Sequence, residues 1–184
     1  MNPSIPNFAF ARGDGSKAMN LQPVFMLEAC STSQHDVLER MITQGHDVNH
    51  VWPGHLRLLH IAASRGDVRS LELLLDAQAD ADAVTARGET ALYLAACEGH
   101  GLVVTQLQRA GADINLSNHR GETPLHAAMA TGHFSCARQL LWMGALTQCR
   151  NIHGLRAEDA APMAHQPKEL VELFRAAKLR ARKD

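Results

Sequence analysis

The stretch GETPLHAAMATGH, residues 121–133, decides the fold because the chain contains it more than once. Shifted back by 33 residues it reads GETALYLAACEGH, residues 88–100, with seven of thirteen positions identical. Another 33 residues back lies LRLLHIAASRGD, residues 56–67, which keeps the Leu-His pair, an alanine and the glycine. The ends of the units repeat as well: QGHDVN at 44–49, AQADAD at 77–82, AGADIN at 110–115 and MGAL at 143–146. A fixed period of this length marks an architecture in which similar units stack and bury their apolar faces against each other.

Local physics predicts what one unit looks like. Thr123-Pro124 suits the start of a helix, with threonine as cap and proline at the first helical position. Leu125, Ala128 and Met129 then share one face at helical spacing. Gly132 ends that helix in a tight reversal. A second amphipathic helix follows with Cys136, Ala137, Leu140 and Leu141 as its stripe, and Gly144 closes it. Neither helix is long enough to persist alone, so neighbouring units must hold each other up.

GETPLHAAMATGH followed by ARQLLWMGA, at this period, resembles the ankyrin-repeat family. The resemblance runs from about residue 20 to 180. It implies an all-α ankyrin-repeat solenoid of about five stacked helix-turn-helix units with short hairpin-like loops. The units fall near 19–51, 52–84, 85–117, 118–150 and 151–180, the first and last degenerate. Residues 1–18 are expected to be a disordered N-terminal segment and 181–184 a basic tail. Two departures bear on geometry. His55-Leu56-Arg57-Leu58 stands where the family has Gly-x-Thr-Pro, so the turn around Pro53-Gly54 is expected to be reshaped. Pro162 and Pro167 are expected to shorten or kink the helices of the last unit. The resemblance also implies structural roles for histidines. The rings of His60 and His126 tie loop backbone together, and those of His100 and His133 bond to a neighbouring unit.

Composition narrows the function. A formal net charge of −1 lacks the basic footprint of a protein devoted to nucleic acid. No run of about 18 apolar residues suggests a membrane span, and the N-terminus lacks the pattern of a signal peptide. Cysteines at 30, 97, 136 and 149 form no CxxC pair, which points to a reducing, intracellular compartment. Cys30 and Cys136 read as packing residues, whereas Cys97 and Cys149 read as more exposed thiols. HExxH, GxSxG, Walker-type and dinucleotide-binding motifs are absent from the sequence. Neither an enzymatic activity nor a cofactor is therefore expected. The run GHDVNHVWPGHLRLLH, with His46, His50, His55 and His60, is the one metal candidate. His46 and His50 lie in a turn, so their four-residue spacing does not align them as helical ligands would be, and no metal is expected. Outside the repeats, Arg12-Gly13-Asp14 matches an adhesion tripeptide that any tail can contain. Arg175, Lys178, Arg180, Arg182 and Lys183 read as solvated charges at a helix end. Asn49 and Asn115 lie in turns resembling sites of asparaginyl hydroxylation in some ankyrin proteins; the plainer reading is a turn asparagine bonding its own backbone.

The expected function is binding another protein, as an adaptor, a competitive inhibitor or a mimic of a cellular ankyrin protein. No further effector segment is expected after the repeats, and the free chain is expected to be a monomer without nucleic-acid or membrane partners. The resemblance implies contact through the loop tips and the inner helices. Residues flanking the turn glycines carry no core duty in this reading: Arg87 and Glu89 in one unit, Arg120 and Glu122 in the next. His119, Ile152 and His153 continue the stripe, Trp52 and Leu56 form an apolar end, and Arg65 and Glu98 lie on the adjoining helices. The rivals are a metal protein or enzyme using the 46–60 histidines and a structural subunit of a larger assembly.

Overall fold

The computed structural model describes residues 22–161 and 167–180. Within them lie ten helices: α1 (Gln22–Ser31), α2 (His35–Thr43), α3 (Leu58–Arg65), α4 (Val68–Asp76), α5 (Ala91–Cys97), α6 (Gly101–Arg109), α7 (Pro124–Ala130), α8 (Phe134–Trp142), α9 (Ala157–Ala160) and α10 (Lys168–Arg180). The odd-numbered helices stack on each other from α1 to α9, and the even-numbered ones from α2 to α10. The result is an all-α repeat stack of five helix pairs with two rows. Residues 1–18, the tail 181–184 and Pro162 lie outside the described residues.

The 33-residue period writes the core. In the odd row Met26, Leu59, Leu92 and Leu125 recur at one register position, each at most 1% exposed. Ala29, Ala62, Ala95 and Ala128 recur at another, and their small side chains let the short helices approach closely. In the even row Leu74, Leu107 and Leu140 are fully buried, with Leu71, Val104 and Ala137 beside them. Trp142 departs from this order. Its equivalents one and two periods earlier are Arg109 and Asp76, and like them it faces solvent, 65% exposed.

The last pair is asymmetric. α9 has four residues, and α10 has thirteen and starts directly after Pro167. Proline cannot donate to a preceding turn but is tolerated where a helix begins. Pro167 therefore opens a long helix, correcting the expectation that it shortens or kinks one. α10 covers the exposed flank of α8, burying Leu170 and Phe174.

Candidate protein-binding surface

Four short hairpins stand between the helix pairs. The backbone N–H groups of Trp52, Thr85, Asn118 and Asn151 donate to the carbonyls of Leu56, Glu89, Glu122 and Leu155 at 2.9–3.0 Å. Three of the hairpins are braced from inside. The side-chain oxygens of Thr85, Asn118 and Asn151 each accept the backbone N–H groups two and four residues further on. Trp52 offers no such oxygen. Its turn instead holds Gly54 and His55 both in the left-handed region, at φ 81° and 56°, the reshaping expected around Pro53-Gly54. The tips are joined in line, because the N–H groups of Ala86, His119 and Ile152 donate to the carbonyls of Gly54, Arg87 and Arg120 at 2.7, 3.0 and 2.8 Å. Neighbouring hairpins therefore hold a fixed relation to each other.

Arg87, Glu89, His119, Arg120 and Glu122 come together around one cleft of about 280 Å³ between the second and third hairpins. The two glutamates are not free of intramolecular work, which corrects the expectation for them. The Glu89 side chain is only 12% exposed and accepts from the Thr85 hydroxyl at 3.2 Å and from Arg87 Nε at 3.1 Å. Glu122 accepts from the Asn118 amide at 3.0 Å and from the Tyr93 hydroxyl at 3.1 Å. Glycine at the turn left the flanking side chains sterically unconstrained, but their backbone positions aim the carboxylates back at the brace. Arg87 pairs with Glu89, whereas Arg120 is exposed and its guanidinium meets no acceptor among the described residues. Tyr93 went unnoticed in the sequence reading. Its signal was the tyrosine in Thr-Ala-Leu-Tyr at the register position held by His60 and His126.

The other expected residues spread along the row. Ile152, 66% exposed, and His153 project at the fourth hairpin. Trp52 and Leu56 face each other across the first and are half-buried, with Trp52 packed against the core and edge-on to His50, ring centroids 4.7 Å apart. The apolar end is thus partly absorbed by the fold. Arg65 ends α3 and Glu98 caps α5, both exposed.

Two buried imidazoles fasten the hairpins to the helices. His60 Nδ1 accepts the Arg57 N–H at 3.0 Å, so its proton sits on Nε2, which donates at 2.9 Å to the Ala83 carbonyl, two residues before the second hairpin. His126 Nδ1 accepts the Thr123 N–H at 3.2 Å in the same way, while its Nε2 donates to the Leu155 carbonyl of the fourth hairpin at 3.2 Å. Burial pushes both imidazoles below their ordinary pKa of 6.5. His100 donates to the Ser64 carbonyl of the preceding unit at 3.2 Å. The His133 ring lies against Gly99 and meets no carbonyl acceptor among the described residues, so that link is a packing contact.

Comparison with known families matches residues 25–118 to a model of ankyrin repeats in three copies and residues 101–141 to a second model of ankyrin repeats in many copies. The chain belongs to the ankyrin-repeat family. A comparison with curated proteins finds no match. Ankyrin repeats are in general protein–protein interaction modules, and the family is typically a non-enzymatic scaffold.

The remaining polar features of this ankyrin stack are occupied by its own assembly. Asn49, Asp82 and Asn115 recur at one register position, and each Oδ1 accepts a backbone N–H of the following unit, from Asp80, Asp113 and Leu146, at 2.8–2.9 Å. The asparagines thus clamp neighbouring units, in place of the expected bond to their own backbone. His35 bridges the first two units by bonding Asp67 at 2.9 Å. Burial alone would raise the Asp67 carboxyl, but hydrogen bonds from Ser70 and His35 hold it below its ordinary value. The 46–60 histidines are dispersed: His50 against Trp52, His55 at an exposed tip, His60 inside the core. Among the described residues no three His, Cys, Asp or Glu side chains converge as metal ligands, and no helix is long and apolar enough to cross a membrane. All four cysteines are unpaired. Burial pushes the Cys30 thiol up to about 12 and Cys136 to about 11. Cys97 and Cys149 are half-buried and also raised, first by burial, which works against forming the thiolate that reactivity requires.

Proposed function

We propose that this ankyrin-repeat chain binds a protein partner across its hairpin tips and the adjoining ends of the odd-row helices, as an adaptor, a competitive inhibitor or a mimic of a cellular ankyrin protein. One observation carries the reading. The hairpin tips are joined in line by backbone hydrogen bonds, and Arg87, His119, Arg120, Ile152 and His153 stand exposed along them. Side chains held at fixed spacing on a rigid row can meet a partner without an ordering cost at each contact. Trp52 and Leu56 extend the row with apolar surface, and Arg65 and Glu98 add charged groups beside it. Tryptophan and arginine are the residue types that dominate binding energy at interfaces. In this reading the free chain is a monomer in a reducing intracellular compartment, and its partner is neither nucleic acid nor membrane.

The test begins with affinity purification and mass spectrometry to obtain the partner. A Trp52→Ala variant and an Arg87→Glu, Arg120→Glu double variant are then compared with the natural chain, each first shown to melt normally. Both should bind the partner more weakly. Full-strength binding by both would place the interface elsewhere. A second reading, a subunit of a larger assembly, draws on Leu102 and Trp142, 74% and 65% exposed on the even row. Mass measurement over a range of concentrations tests it.

A further inference from the structure

Resting on that reading of the hairpin row, we infer that the partner offers an acidic, extended segment whose carboxylates are taken up by Arg87, Arg120 and His119. By sequence the row looks balanced, since each arginine has a glutamate two residues on. The structure separates the two signs by depth. Glu89 and Glu122 are the only carboxylates in the hairpin segments 52–57, 85–90, 118–123 and 151–156. Both are engaged from within, Glu89 by Thr85 and Arg87, Glu122 by Asn118 and Tyr93. Those hydrogen bonds turn both carboxylates down to the base of their turns, and Glu89 is also paired with Arg87, so the outer layer of the row is presented by the arginines.

The cations lie outside that layer. The Arg87 side chain is 80% exposed, and only its Nε is used, so both terminal amino groups remain to bind. Arg120, one period along, has no acceptor among the described residues. The His119 ring rests on Gly88, where a Cβ would come within 2.6 Å of its Cδ2, and this seats it in the cleft between the two arginines' hairpins. A planar guanidinium matches a carboxylate with two parallel hydrogen bonds, which makes arginine selective for that geometry. Two such forks on hairpins tied by the 3.0 Å bond from His119 N–H to the Arg87 carbonyl would register two carboxylates on one extended strand. The cleft of about 280 Å³ admits side chains rather than a folded domain. A nucleic acid suits it less well. Its continuous phosphate charge would lie over Glu89 and Glu122, whereas an acidic peptide can space its carboxylates to miss them.

The test uses the full chain with fluorescein-labelled peptides in anisotropy titrations: one of alternating Asp, Glu and Ser residues, one with Lys in place of the acids, and a single-stranded DNA oligonucleotide of equal length. The acidic peptide should bind and release as salt rises from about 0.05 to 0.5 M, because exposed charge pairs are screened over that range. The Arg87→Gln, Arg120→Gln double variant should weaken it by about tenfold, the loss expected when two exposed charge-assisted contacts go. A matched variant of the even row, Arg69→Gln, Arg138→Gln, removes the same net charge and should leave binding unchanged. Equal weakening by the two double variants, preference for the oligonucleotide, or no binding of the acidic peptide would overturn the inference. Failure here is distinct from failure of the interface itself. A purified partner that is lost with Trp52→Ala but not displaced by the acidic peptide would keep the hairpin interface and reject its acidic chemistry.

Discussion

Lowering the pH from about 7.5 to 5.5 should destabilise this protein through two residues, His60 and His126. Each is at most 2% exposed, and each has both ring nitrogens engaged only in the neutral form. Nδ1 accepts a backbone N–H, so a proton placed there breaks that bond and strands a charge in the core. Burial accordingly holds both pKa values below the ordinary 6.5. Between the lowered folded value and 6.5 the unfolded chain binds more protons than the folded one, so stability must fall as the pH falls. The stabilisation is fully present above 6.5 and drains away below it. Each histidine can contribute a slope of at most about 1.4 kcal/mol per pH unit, so the pair can remove up to roughly 2.7 kcal/mol by pH 5.5. Asp67 does not confuse the result, because its carboxyl is lowered from 3.8 and acts only at more acidic pH. Urea unfolding followed by circular dichroism at several pH values measures the effect. A His60→Gln, His126→Gln double variant should be less stable at pH 7.5 but show a flatter dependence. A natural chain equally stable at both pH values, or a double variant with the same slope, would refute the assignment of buried neutral imidazoles.

Three further outcomes follow from the packing. Leu140→Ala should cost about 2–5 kcal/mol, because Leu140 is fully buried in the α6–α8–α10 row; an unchanged thermal midpoint would contradict its place there. Arg57→Thr should raise the midpoint by about 2–4 °C, or roughly 1 kcal/mol. Thr90 caps α5 by accepting the Tyr93 N–H at 3.0 Å, whereas arginine at the equivalent place has no acceptor and leaves its Nε buried without a partner. A lowered midpoint would show that the Arg57 stem contributes more than the missing cap. Asn115→Ala should cost about 0.5–1.5 kcal/mol by removing the exposed 2.8 Å bond from the Leu146 N–H, measured by urea unfolding; no loss would mean water replaces the clamp.

Much of this protein was readable because its information is local and repeated. The period set the register, and the register placed Leu59, Leu92 and Leu125 in one layer and Leu74, Leu107 and Leu140 in another. The histidine ties of His60 and His126 followed from the family resemblance. The site was less legible. One candidate cleft brings together Arg87, His119 and Arg120, which the sequence offers, with Tyr93, which it does not, and Glu89 and Glu122 lie deeper than their place beside turn glycines suggests. A sequence shows which charges are adjacent, not which one turns inward to meet a donor 29 residues away, as Glu122 does with Tyr93.

The sequence by itself determined the unit, the period and the two apolar stripes, since helix caps, turn glycines and amphipathic spacing act over a few residues. Only the tertiary structure decided how the imperfect units comply. At three register positions the other units use glycine in the left-handed region, yet Ser33, His55 and Gln78 stand there at φ 54°, 56° and 63°. Local preference opposes each by about 1–2 kcal/mol. The flanking helices are already seated in rows shared with their neighbours, so the turn between them has one path, and these residues are held to it by the stack.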